Sequence, residues 1–106
     1  MNKNLIDGLF IVENRAVDVA VCLKKAEQGD SITRREQTRF AREKSETLAN
    51  AAAQFIDMFF DATGSRLLTV CLVEFVSVFI ASILSTYSVD REMRRDLMAF
   101  IHECTD

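Results

Sequence analysis

Side chains able to do chemistry are few in this 106-residue chain, and their spacing does little to bring them together. His102, Glu103 and Cys104 are consecutive and resemble, as text, a nucleophile with its base. On a helix, neighbouring residues point about 100° apart, so His102 and Cys104 face nearly opposite ways. A cysteine nucleophile needs its histidine in hydrogen-bond contact, and one helix does not supply that contact at this spacing. His102 is also the single histidine, which removes any multi-histidine metal site within one chain. It reads as a surface residue.

The other reactive groups are no better arranged. Cys22, Cys71 and Cys104 are odd in number, far apart and free of any CxxC spacing. Each sits on an apolar helical face, so they read as reduced core thiols of an intracellular protein. Asp7, Asp18, Asp57, Asp61 and Glu74 are scattered and form no ExxH pair. The expectation is therefore no catalytic residue, no metal and no cofactor, in a chain that is not an enzyme.

Two groups remain that suit recognition. Arg35, Arg39 and Arg42 fall on one helix face at i, i+4 and i+7, with Arg34 and Lys44 nearby. Arginines in a first helical turn oppose the helix dipole by about a few tenths of a kcal/mol each. That placement suits an acidic partner surface or a phosphate. Against it, Arg39–Glu43, Arg42–Glu46 and Glu36–Arg39 have the spacing of a solvated ion-pair ladder. Nucleic acid is disfavoured by the net charge of −3 and by the scarcity of aromatic residues among the arginines, where Phe40 stands alone. It would require a dimer that joins two Arg faces. The second group is Phe55, Phe59 and Phe60 with Met58. One helix of a small monomer hardly buries all of them, so they form either a core shared with other helices or an oligomer interface.

The elements that must carry these residues are helical. Proline is absent and glycine occurs three times, a composition that favours helices. The longest apolar run is LLTVCLVEFVSVFIASILSTY, residues 67–87. As a helix it is roughly 32 Å long, with apolar residues all round, which demands burial in protein or in lipid. Glu74 near its middle counts against a membrane span, and Arg66, Glu74, Ser77, Ala81, Ser85 and Ser88 form a narrow small and polar stripe along one side. The first helix is expected over 4–28, with Leu5, Leu9, Val12, Ala16, Val19, Leu23 and Ala26 as its core stripe and Gly29 at its end. The second opens with a capping box of Thr33 and Glu36, with Asp30 and Ser31 as rival caps, and runs to about 62. Gly64 stops it and Ser65 caps the third. A fourth, amphipathic helix starts at Ser88 and Asp90 and carries Met93, Leu97, Phe100, Ile101 and Cys104 on its apolar side.

These patterns describe a single domain, 1–106, of all-α class: an antiparallel four-helix bundle with a central apolar third helix, completed by homodimerisation. The N-terminus lacks the uninterrupted apolar stretch of a signal peptide, which points to the cytoplasm. The function expected is a small non-enzymatic interaction module, a regulator, inhibitor or chaperone-like adaptor. It would bind another protein through Arg35, Arg39 and Arg42 or through Phe55, Phe59 and Phe60. A membrane-associated protein with one inserted helix at 67–87 is the second reading. A dimeric nucleic-acid-binding regulator using the Arg face is the third.

Overall fold

A computed structural model describes residues 3–106 as four α-helices: α1 (Lys3–Gln28), α2 (Ser31–Thr63), α3 (Arg66–Thr86) and α4 (Arg91–Thr105). No strand occurs among the described residues. Each boundary has a local cause. Asp30 is extended (φ −72°, ψ −177°) and its carboxylate accepts the Thr33 N–H at 2.8 Å, so Asp30 rather than Thr33 caps α2. That N–H, together with the Thr33 hydroxyl, holds the Asp30 carboxyl below its ordinary range. Gly29 does not adopt the left-handed conformation expected of it. It is needed for room, since a Cβ there would lie 2.6 Å from the Thr33 side chain.

At the other junctions the expected signals hold. Gly64 takes φ 62° and donates its N–H to the Phe60 carbonyl, closing α2. Ser65 then caps α3 by accepting the Leu68 N–H at 3.1 Å. Tyr87 ends α3 in the same left-handed conformation (φ 61°), unusual for a residue with a bulky side chain. Its phenol donates to the Glu27 carboxylate at the end of α1, which ties the two helix ends together. Asp90 caps α4 through the Met93 N–H at 3.0 Å.

One apolar cluster draws on all four helices, but their shares are unequal. Helix α1 buries Leu5, Leu9, Val12, Ala16, Val19, Ala20, Cys22 and Ala26. Helix α3 buries only Leu72, Val76, Phe79 and Ile83. The expected centre is thus displaced from α3 to α1. Length explains much of this: at 15 residues, α4 is about 22 Å long and too short to sheathe the free side of a roughly 32 Å helix. Small residues explain the rest. Gly8 lets α2 approach so closely that an added Cβ would lie 3.1 Å from the Phe55 ring. Helix α2 is 33 residues, about 49 Å of helix, and matches the longest dimension of the molecule, 49 Å.

A second tie fastens α4. Arg94 Nε lies 2.8 Å from Glu13 Oε1, and the guanidinium sits over the Phe10 ring at 5.6 Å. The pair is largely shielded, with side chains 27% and 10% exposed. The Arg94 N–H is not aligned with the carboxylate, so neither atom completes a proper hydrogen bond and the attraction is mainly Coulombic. Phe100 completes the attachment, with its ring 6.0 Å from Phe59 and 6.1 Å from Phe75.

Candidate functional site

Helix α3 spends one stripe on the core and turns the opposite one to solvent. The buried residues recur at i, i+4, i+7 and i+11, a single line along the helix. Opposite them lie Arg66, Leu67, Val70, Cys71, Glu74, Ser77, Val78, Ala81 and Ser85, all exposed. Leu67 is 74% exposed, Val70 55% and Val78 57%. Soluble monomers expose single apolar residues routinely, and an aligned row of them makes this face a candidate contact surface. Arg66 and Glu74 lie on this face without an ion-pair partner among the described residues.

The sequence-predicted recognition residues divide. Arg35, Arg39 and Arg42 are all exposed on α2. Arg35 and Arg39 line one shallow hollow with Ser31, Ile32 and Glu36, whereas Arg42 lies outside it. The anticipated ion-pair ladder is not formed: among the described residues, none of these arginines is within 4.0 Å of a carboxylate. Arg39 instead rests over the Phe40 ring at 5.2 Å. The aromatic group separates more sharply. Phe55 and Phe59 are buried in the core, while Phe60 is exposed. Met58 and Phe55 line a groove between α1 and α2, with Gly8 and Ile11 across from them and Asp7 and Asp61 at its rims.

No protein-family model, curated protein or solved structure matches the chain.

No group of three or more His, Cys, Asp or Glu side chains gathers as a metal site among the described residues. His102 is exposed and pairs with Asp106 one turn on. The cysteines are all free, but they are not uniformly core residues as expected: Cys22 is buried, Cys104 half-buried and Cys71 exposed. Burial pushes the Cys104 thiol up, and the Glu103 carboxylate and Cys71 add to the effect. A raised thiol pKa lowers the thiolate fraction and disfavours nucleophilic work. Sequence reasoning missed the Glu13–Arg94 tie, which joins residues 81 positions apart. The available signal was Glu13 itself, an acid set beside Val12 and one turn from Leu9 and Ala16 on the buried side of α1.

Proposed function

We propose that this chain is a small non-enzymatic protein-interaction module, a regulator, inhibitor or adaptor, that works by docking the outer face of α3 on another protein surface. The observation that carries this reading is the exposure of Leu67, Val70 and Val78 in one row opposite the core stripe. The helices are taken to run alternately up and down, as the short connections at 29–30, 64–65 and 87–90 favour. A cytoplasmic setting goes with this reading. Exposed Arg35 and Arg39 provide a second, cationic contact for an acidic partner.

The test is a Leu67→Asn/Val78→Asn double variant studied beside the unaltered chain. Both side chains point away from the core, so helix content and unfolding midpoint should stay close to the original. Association, measured by light scattering after size exclusion and by binding of a hydrophobic dye, should fall. An unchanged dye response and unchanged association would remove the α3 face from consideration.

A second reading has an observation of its own. Helix α3 is the one described helix long and apolar enough to cross a membrane. Insertion would place Arg91, Arg94 and Arg95 on the cytoplasmic side. It would also carry Glu74 into lipid and strip the core of Leu72, Val76, Phe79 and Ile83. Extraction by alkaline carbonate without detergent would decide against it.

A further inference from the structure

The α3 face has a charge pattern that selects its occupant. Resting on the docking role proposed above, we infer that it pairs with α3 of a second copy of this chain, antiparallel, about a two-fold axis passing beside Val70. Arg66, Val70 and Glu74 are spaced i, i+4 and i+8, so the two charges flank Val70 by one turn on either side. In a two-fold pair each charge meets a position fixed by the axis. With the axis at Val70, Arg66 of each copy comes level with Glu74 of the other, within reach of a long guanidinium side chain. Both unpaired charges are then answered, twice over.

Other registers leave Glu74 unanswered. A parallel pair sets it against its own copy, a like-charge contact at the centre of the face. Moving the antiparallel axis toward Ser77 or Val78 brings Glu74 level with Ile80 or Ser82, neither of which is a cation. The register at Val70 overlaps residues 66–74 of the two α3 helices. Leu67 comes level with exposed Val73 of the second copy. Lipid is the poorer occupant, because this same face carries Arg66, Glu74, Ser77 and Ser85.

One helix pair lies at the small end of protein interfaces, below about 1,200 Å² in total, so the dimer should dissociate on dilution in the micromolar range. Sedimentation equilibrium of the full chain tests this. Arg66→Glu and Glu74→Arg should each weaken the dimer by about fivefold or more, through two lost attractions and two new repulsions. The two combined should restore it. In a Cys71→Ser background, Val70→Cys should cross-link between copies under mild oxidation, while Ser85→Cys should not. A chain that stays monomeric at 100-fold above the micromolar range, or a dimer indifferent to both charge reversals, overturns the inference. So does a monomer that binds 3:1 phosphatidylcholine–phosphatidylglycerol vesicles. A dimer lost in the Leu67→Asn/Val78→Asn variant but indifferent to the charge reversals overturns the register while leaving the docking role in place.

Discussion

Replacing Arg94 by Met tests whether the tie between α1 and α4 holds the fold together. The methionine keeps an apolar stem over Phe10 and removes the charge that faces Glu13. A fully buried pair broken on one side costs about 3–5 kcal/mol, because the remaining charge is stranded. Here Arg94 is 27% exposed and its N–H is poorly aligned with the carboxylate, so water and relaxation recover part of that cost. About 2 kcal/mol is the expected loss, including the cation–π contact of about 0.5–1 kcal/mol. Adding Glu13→Leu removes the stranded carboxylate and should bring stability back to within about 1 kcal/mol of the original. Urea unfolding followed by circular dichroism is the assay, and a 2 kcal/mol loss moves the midpoint by about 1–2 M. The reasoning fails if Arg94→Met alone falls within about 0.5 kcal/mol of the unaltered chain. It fails equally if the double variant is as unstable as the two single losses added together.

Three other perturbations have definite expected outcomes. Gly64→Ala should cost about 1 kcal/mol and lower the melting temperature by about 4 °C, because an added Cβ meets nothing within 4 Å and only the left-handed backbone opposes it. The Glu27 carboxylate raises the Tyr87 phenol above its usual range, so that contact adds stability below pH of about 10 that is lost as pH rises through the folded value. Tyr87→Phe should therefore abolish this part of the alkaline decline, read as a difference between melting curves from pH 8 to 11. At dilutions where the chain is monomeric, alkylation with iodoacetamide followed by mass spectrometry should label exposed Cys71 first, then Cys104, with Cys22 reacting only on unfolding.

Local signals in the chain were legible where they act over a few residues. The stripe from Leu5 to Val19 is buried as its spacing requires, and Gly64, Ser65 and Asp90 cap the helices they punctuate. At Asp30 and Thr33 two side chains competed for one cap, and periodicity does not rank them. The apolar run at 67–87 revealed that a surface needs covering but not what covers it. Hydropathy counts residues without regard to the length of their neighbours, and α4 is too short to finish the enclosure. Phe55 and Phe59, spaced i and i+4, share a helix face with Phe60 to one side, but the spacing does not say whether that face meets the core or a second chain; it meets the core. Glu13 and Arg94 meet across 81 residues, beyond any local pattern.

The most buried helix precedes the other three, and this order matters during synthesis. Leu5, Leu9 and Val12 emerge long before Leu97 and Ile101, yet the cluster that shields them is complete only with those two. At about 5–20 residues per second, roughly 5–20 s separate the two events. During that interval α1 has only α2, and later α3, to lie against. A chaperone that holds apolar helices, or an early pairing of α1 with the lower half of α2 through Gly8 and Phe55, has that time in which to act. Ribosome-stalled chains ending before and after α4 would differ in protease resistance at α1, a helix made well before the one that seals it.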